Sequence, residues 1–191
     1  MGEKMIFLIV GDFGVGKDTI VDMLVQMIGE DEAYKIRSWT TREPRFPGED
    51  THNFYWWPGS TRAGRINSFM QDVLPYIDQV AFTSIDGEYY WTESNQFQNT
   101  KYEFYIINDH GAWRAVRYFE QNDIEYTIIR VVRPEYLLNI DDGRKNRRSF
   151  SYTEPVPQDI IFENTFTDFE SLRSEVASLA GFIISGKLFN I

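Results

Sequence analysis

Short apolar runs alternate with amphipathic stretches along most of the chain. Residues 5–10, MIFLIV, are continuously apolar, as expected of a strand that is covered on both faces. After a glycine-rich loop, apolar residues recur at helical spacing from Ile20 to Ile28. The same reasoning predicts strands at residues 102–107, 126–132 and 159–162, and helices at about 112–121, 135–140 and 167–180.

This alternation of strands and helices favours an α/β fold with a parallel sheet and helices on both faces. The last helix is predicted to begin at a capping box formed by Thr167 and Glu170. Residues 40–100 are less regular, because several prolines and glycines interrupt them. We interpret them as a lobe inserted into a single domain of 191 residues, whose core comprises residues 1–39 and 101–191.

The composition narrows the class of protein. Hydrophobic residues make up 42% of the chain, and no apolar run approaches the roughly 20 residues of a membrane span, so a soluble globular protein is expected. No signal peptide is recognisable, and the absence of cysteine, which excludes disulfides and thiolate metal sites, fits a cytoplasmic location. The net charge of −10 opposes binding to DNA or RNA, but not to a small phosphorylated ligand that meets local positive charge.

The stretch VGDFGVGKDT at residues 10–19 nearly matches the phosphate-loop pattern G-x-x-x-x-G-K-[ST]. Its glycines allow the backbone to turn several N–H groups toward one point, and the following helix adds the positive end of its dipole. Lys17 supplies a mobile charge for the outer phosphates. The position between a buried-type strand and an amphipathic helix favours a nucleotide site over a glycine-rich turn with a solvated lysine. The predicted site comprises Gly11, Gly14, Val15, Gly16, Lys17, Asp18 and Thr19.

A second cluster lies in SWTTREPRFPGEDTHNFYWW at residues 38–57. Arg42 and Arg45 stand three positions apart around a proline, so both guanidinium groups can be directed at one phosphate; the alternative is a charged surface loop. Here the sequence resembles the guanylate kinase family, whose members carry S-x-T-T-R-x-P-R-x-G-E and a tyrosine six residues on. The matching residues are Ser38, Thr40, Thr41, Arg42, Pro44, Arg45, Gly48, Glu49 and Tyr55, with one extra residue between Arg45 and Gly48.

The resemblance extends more loosely over most of the chain, through GEYYWT at 87–92, IINDHG at 106–111 and DIIFEN at 159–164. It implies a P-loop NTPase three-layer fold with an inserted nucleoside-monophosphate-binding lobe and a short lid at about 140–157. It also implies transfer of the γ-phosphate of ATP, with Mg²⁺, to GMP or dGMP as the small-molecule partner.

The resemblance further implies roles for individual residues. Lys17 and Arg42 are expected to act on the phosphates during transfer, and Asn164 is expected to lie near adenine. Glu49 is expected to accept hydrogen bonds from the guanine edge. The residues expected to bind the acceptor are Ser38, Arg42, Arg45, Glu49, Tyr55, Tyr90, Thr92 and Asn108.

Three features depart from the family. The acidic pair at the end of the second buried strand is replaced by Ile106 and Asn108, so the expected carboxylates for Mg²⁺ are missing. A further glutamate that binds guanine has no clear counterpart. The lid is short, and its arginines either reach over the transferring phosphoryl group or form a solvated basic surface. These arginines are Arg144, Arg147 and Arg148, of which Arg144 and Arg148 are the expected catalytic residues.

Asp18 stands where the phosphate-loop pattern has a hydroxyl residue. We interpret it as a ligand of Mg²⁺, direct or through water, that replaces the lost strand-end carboxylate, with Thr19 adjacent. The alternative is a carboxylate that only stabilises the first turn of the helix through its dipole. His52 and His110 are too few and too far apart for a zinc site or a catalytic pair, and are expected to be structural or exposed.

The leading hypothesis is a nucleoside monophosphate kinase of guanylate type, with its oligomeric state open. The altered guanine pocket leaves room for another acceptor, such as a different deoxynucleotide or a phosphorylated sugar. A kinase-like binding module without catalysis is favoured by the missing acids and opposed by the intact loop with Lys17. A nucleotide-dependent switch ATPase is less consistent with the sequence, because hydrolysis does not require the second pocket around Arg42 and Arg45.

Overall fold

Residues 4–76, 78–138 and 154–186 are described by the computed structural model and contain nine strands and four α-helices. The predicted lid at about 140–157 lies largely outside these residues. The strands are β1 (Met5–Val10), β2 (Ala33–Ile36), β3 (Trp39–Thr40), β4 (Asn53–Phe54), β5 (Gln79–Ile85), β6 (Glu88–Glu93), β7 (Tyr102–Ile106), β8 (Tyr126–Val132) and β9 (Ile160–Glu163). The α-helices are α1 (Lys17–Ile28), α2 (Arg62–Ser68), α3 (Asp109–Gln121) and α4 (Phe169–Ser185).

Five strands form a central parallel sheet in the order β2-β7-β1-β8-β9. β1 lies in the middle, and all six of its residues are buried, which explains why its sequence is continuously apolar. The strands predicted at 5–10 and 126–132 have the observed bounds. The strand predicted at 102–107 ends one residue earlier, and the one predicted at 159–162 is shifted by one residue. β2 is not predicted, because its sequence, AYKI, is short and only partly apolar.

Helices cover both faces of this sheet, which confirms the predicted three-layer α/β fold. Phe7 and Ile9 of β1 pack with α1 and α4 on one face, whereas Ile6 and Leu8 pack with α3 on the other. Because the carboxyl ends of parallel strands meet at one edge, the segments that follow β1, β7 and β9 are brought together there. None of the helices among the described residues has the length and apolar character needed to cross a bilayer.

Two helix predictions are wrong. α4 begins after Asp168, whose side chain accepts a hydrogen bond from the backbone N–H of Ser171 at 2.8 Å. Asp168 is therefore the N-cap, and the predicted capping box of Thr167 and Glu170 is not the start of this helix. In the range predicted as a helix at 135–140, the described part forms a single 3₁₀ turn at Glu135–Leu137.

Four strands form a second sheet, here called the lobe sheet, in the order β4-β3-β6-β5. Its aromatic core is centred on Phe69, in a π-helical turn that follows α2. The ring centroid of Phe69 lies 4.4 Å from that of Trp91 and 5.1 Å from that of Tyr89. Residues 40–100, whose sequence pattern is irregular, therefore have their own sheet and core. Its status as an insertion with bounds at 40 and 100 stays a prediction.

Hydrogen bonds at the start of helix α3 link the two sheets. Asn108 caps α3 with its side-chain oxygen and donates from its amide to Thr83 of β5 at 3.3 Å. Asp109 accepts hydrogen bonds from Arg130 of β8 at 2.6 Å and from the backbone N–H of Val156 at 2.9 Å. The carboxyl end of β7 is thus tied to the lobe sheet on one side and to β8 on the other.

The aromatic core of the lobe sheet generates a first prediction. Phe69→Ala should lower the free energy of unfolding by about 3–5 kcal/mol, because the ring is fully buried and its removal leaves a cavity. Met70→Ala, a neighbouring but exposed position, should change it by at most about 1 kcal/mol. Urea unfolding followed by tryptophan fluorescence measures both. Equal effects of the two substitutions would contradict a separate core around Phe69.

Candidate nucleotide-binding site

The glycine loop follows β1 and wraps tightly against the ends of the neighbouring strands. Gly11 and Gly16 have φ angles of 144° and 96°, in a region that favours glycine. A Cβ atom on Gly11 would lie 2.3 Å from the carbonyl oxygen of Val131, and one on Gly16 would lie 2.7 Å from the amide nitrogen of Asn164. Neither position therefore accepts a side chain without displacing its neighbour.

Asn164, which follows β9, holds the loop in place. Its side-chain amide donates a hydrogen bond to the carbonyl of Val15 at 2.8 Å, and the residue is only 1% exposed. We therefore revise the expectation for Asn164. Its position supports the loop from beneath, and a side chain with so little exposure offers an adenine ring almost no surface.

Lys17 lies at the start of α1 and folds back over the loop. Its ammonium donates to the main-chain carbonyls of Gly11 at 2.8 Å and Asp12 at 2.7 Å. Burial lowers the pKa of Lys17 to about 8, although the nearby carboxylates of Asp18, Asp12 and Asp109 act in the opposite direction. Lys17 is therefore still mainly charged at neutral pH, and it is bonded to neutral oxygens. A phosphate would supply the anionic partner that these carbonyls do not provide.

Asp18 is exposed on the first turn of α1 and forms an ion pair with Lys35 of β2 at 3.0 Å. Lys35 also pairs with Asp22 at 2.9 Å. No group of three or more residues suited to hold a metal ion occurs among the described residues. One exposed carboxylate fits Mg²⁺ only where phosphates and water supply the other positions, which is how this ion is usually bound.

The second cluster is organised around Glu49, whose side chain is 1% exposed. Arg42 donates two hydrogen bonds to its carboxylate, at 2.8 and 3.1 Å. The backbone N–H of Arg45 donates a third at 2.5 Å, and the hydroxyl of Thr51 donates a fourth at 2.9 Å. These bonds, above all those from Arg42, lower the pKa of Glu49 to about 2, against the opposing effect of burial.

A carboxylate has about four lone-pair sites, and all of those on Glu49 are therefore occupied. Its expected contact with a guanine edge is not supported by this arrangement, because no acceptor is left for the base. The arrangement assigns Glu49 a different role, which is to orient Arg42. Arg45, by contrast, is 52% exposed, and its guanidinium lies 3.9 Å from Glu49.

Arg65 of α2 is a supporting residue that the sequence does not reveal. It is 2% exposed and donates to the carbonyl of Thr41 at 2.9 Å and to the carboxylate of Glu43 at 2.9 Å. Arg42 in turn donates to the carbonyl of Glu43 at 2.7 Å. The segment that carries Arg42 is thus fixed on both sides. A lone arginine in a region without clear periodicity carries no signal that distinguishes it from a surface residue.

Three residues predicted to bind the acceptor have other partners. Thr92 is fully buried and donates to the hydroxyl of Tyr105 at 2.5 Å. Tyr55 inserts its ring between aromatic neighbours of the lobe core, and its hydroxyl lies 2.9 Å from that of Ser68. Asn108 uses its side chain to cap α3 and to bond Thr83, as described above. These contacts give all three a structural role, and their part in binding the acceptor stays a prediction.

Ser38 and Tyr90 do lie together, and His52 lies between them. The hydroxyl of Ser38 is 3.0 Å from Nδ1 of His52, and the ring centroids of His52 and Tyr90 are 5.5 Å apart. Burial, together with the charge of Arg42, lowers the pKa of His52 to about 4, against the opposing effect of the carboxylates of Asp18 and Glu49. The imidazole is therefore neutral at physiological pH.

The same charges show that the loop and the arginine cluster share one region. Asp18 acts on the pKa of Lys17 in the loop and on that of His52 in the lobe. The ion pair of Lys35 with Asp18 also ties the start of α1 to the segment that leads into Ser38. Asp18 is therefore near both the loop and the lobe residues around His52. The lid residues Arg144, Arg147 and Arg148 lie outside the described residues, so their contacts stay a prediction.

Comparisons with known proteins address the fold. No family model matches the sequence, and no curated protein is similar to it. Among solved structures, the guanylate kinase from Anaplasma phagocytophilum is similar, with a TM-score of 0.62 over 99% of this chain and 88% of that one. The sequence identity is 14%. The protein therefore has a guanylate kinase-like fold of the P-loop NTPase type.

Proposed function

We propose that the protein is a nucleoside monophosphate kinase that transfers the γ-phosphate of ATP to GMP or dGMP. The observation that carries this proposal is the presence of two cationic clusters near Asp18, which pairs with Lys35 in the strand that leads to Ser38. One contains Lys17 with its hydrogen bonds directed to neutral carbonyls, and the other contains Arg42 held rigidly by Glu49. A protein that only hydrolyses ATP requires the first pocket but not the second.

The proposed chemistry requires positioning and charge neutralisation more than covalent participation. The two nucleotides must be brought in line while negative charge spreads over the transferring phosphoryl group. Lys17 would contact the donor phosphates, and Arg42 with Arg45 would contact the phosphate of the acceptor. Mg²⁺, when bound, supplies further charge neutralisation at the donor phosphates, and Asp18 is the residue that would hold it.

GMP or dGMP is the leading acceptor because of the motif at residues 38–57 and because the similar structure is described as a guanylate kinase. A second candidate is another monophosphate, such as a different deoxynucleotide. It is favoured by the ion pairs that the carboxylates of the lobe form. Three of these carboxylates form ion pairs: Glu43 with Arg65, Glu49 with Arg42, and Glu88 with Arg62. The N–H groups of a guanine edge would have to compete with these arginines for the carboxylate oxygens.

A binding module without catalysis is the remaining alternative. The replacement of the family's strand-end acids by Ile106 and Asn108 favours it, since Asn108 is committed to capping α3. The position of Lys17 opposes it. A desolvated lysine held over a loop of the phosphate-binding type has no evident use in a module that binds only protein.

The first test of the proposal is an assay with Mg²⁺-ATP and a panel of ribo- and deoxynucleoside monophosphates, scored for ADP and the diphosphate product. We expect transfer to GMP or dGMP, and a loss of about 100-fold or more in kcat for Lys17→Met, which removes the charge on the donor phosphates. Lys101→Met, an exposed lysine before the amino end of β7, is the matched control and should retain wild-type turnover. Turnover only with another monophosphate would support the second candidate, and binding without turnover would support the module.

Glu49→Gln tests whether Glu49 orients Arg42 or reads the base. The substitution keeps the size of the side chain but removes the charge that accepts both hydrogen bonds of Arg42. We expect the KM of the acceptor to rise by about tenfold, the cost of roughly one charged hydrogen bond, with the KM of ATP unchanged. The order of preference among bases should also stay the same. A changed base preference at an unchanged KM for the best acceptor would mean that Glu49 contacts the base.

Asp18→Asn tests the metal role. We expect reduced turnover at limiting Mg²⁺ that recovers as Mg²⁺ is raised, because the ion loses one weak ligand while phosphates and water keep the others. Asp22→Asn is the matched control, since it removes the other carboxylate partner of Lys35 without changing the loop. Identical Mg²⁺ dependence in the wild type and both variants would leave Asp18 with a role in the helix alone.

A further inference from the structure

His52 is placed in the lobe by the pairing of two short strands. β4 runs parallel to β3, and the backbone N–H of Asn53 donates to the carbonyl of Ser38 at 2.9 Å. The residues that immediately precede the two strands, Ser38 and His52, are therefore neighbours. Phe54, one position after Asn53, lies beneath the guanidinium of Arg42, with 5.2 Å between the guanidinium carbon and the ring centroid. The short pairing thus brings a hydroxyl, an imidazole and a guanidinium to one place.

The two ring nitrogens of His52 have different surroundings. Nδ1 lies 3.0 Å from the hydroxyl of Ser38, whereas no hydrogen bond is formed by Nε2 within the described part of the chain. The ring is held in orientation by Tyr90 at 5.5 Å and Phe54 at 6.1 Å, both edge-on. When the Ser38 hydroxyl donates to Nδ1, the neutral ring carries its proton on Nε2 and presents a donor.

The charges that face His52 determine what this donor can bind. Burial and the charges of Arg42 and Arg45 disfavour protonation of the ring. Asp18 and Glu49 favour protonation, but their effect is smaller. The imidazole is therefore an uncharged donor beside two guanidinium groups. An oxyanion is the ligand class that accepts hydrogen bonds from all three groups at once.

We infer that Nε2 of His52 donates a hydrogen bond to the phosphate of the acceptor nucleotide, and that Ser38 fixes the ring tautomer that makes this possible. This inference rests on the proposed function, because it assigns the acceptor to the pocket of Arg42. It gives His52 the role that the sequence motif assigns to Tyr55. The hydroxyl of Tyr55 is instead bonded to Ser68, which in turn donates to Asp72 at 3.0 Å.

Two substitutions separate a donor at Nε2 from a purely structural ring. Glutamine places its amide nitrogen near the position of Nε2, whereas asparagine places its amide near that of Nδ1. We expect His52→Ala to raise the Kd and the KM of the acceptor monophosphate by about tenfold, with the KM of ATP unchanged. His52→Gln should recover most of this loss and His52→Asn little of it. The opposite order of recovery would mean that the ring only supports Ser38, and would overturn the inference.

The binding measurement uses GMP, and each other monophosphate that the wild type accepts, titrated calorimetrically into the full chain without ATP. His110→Gln is the matched control, because His110 lies on α3, where Arg114 is its charged neighbour, and its replacement should leave the Kd unchanged. An unchanged Kd in His52→Ala overturns the inference. So does a rise in Kd for Tyr55→Phe alone, which would return the role to Tyr55.

The design distinguishes the failure of this inference from that of the proposed function. If the wild type binds a monophosphate but transfers nothing to it, the kinase proposal fails, and the Kd values of the His52 variants still decide the role of the ring. If the wild type transfers phosphate and all His52 variants bind normally, only the inference fails. If the wild type binds no monophosphate of the panel, both fail together.

Discussion

A buried ion pair between Glu49 and Arg42 is the interaction on which the proposed acceptor half of the site depends. Charges lose much of their hydration when buried, and they are stable there only when their hydrogen bonds are satisfied. Glu49 meets this condition with two bonds from Arg42, one from a backbone N–H and one from Thr51. Arg42 is therefore held in one orientation before any ligand arrives. Preorganisation of this kind reduces the entropy lost when a phosphate binds.

The proposed donor half, around Lys17, is organised differently. Lys17 is bonded to carbonyls of its own loop, so its charge is positioned but only weakly compensated. An arriving phosphate exchanges neutral partners for an anionic one. Asp18 and Lys35 add a second ion pair at the start of α1, which limits the net positive charge of the region in a chain whose overall charge is −10. The two halves thus share one electrostatic environment.

The sequence predicts the parts of the fold that depend on local patterns. β1 is a continuous apolar run and β8 is mostly apolar. The glycine loop matches most of the phosphate-loop pattern, and Arg42 and Arg45 belong to the motif at residues 38–57. The predictions that fail concern side-chain contacts between segments that are distant in the sequence. Nothing local shows that Thr92 faces Tyr105, or that the hydroxyl of Tyr55 turns toward α2. Likewise, the surroundings of His52 depend on the pairing of β3 with β4, which are strands of two residues each. This pairing is what places His52 beside Ser38.

The hydrogen bond between Asn164 and Val15 joins residues that are 149 positions apart in the chain. The loop that we propose as the nucleotide site is thus completed by a side chain that directly follows β9. During synthesis, the amino-terminal strand and its loop leave the ribosome long before this partner exists. Contacts of such sequence separation form late in folding, because the intervening chain must first be ordered. An incomplete chain would therefore hold the loop's glycines without their support, and the proposed nucleotide site exists only in the finished sheet.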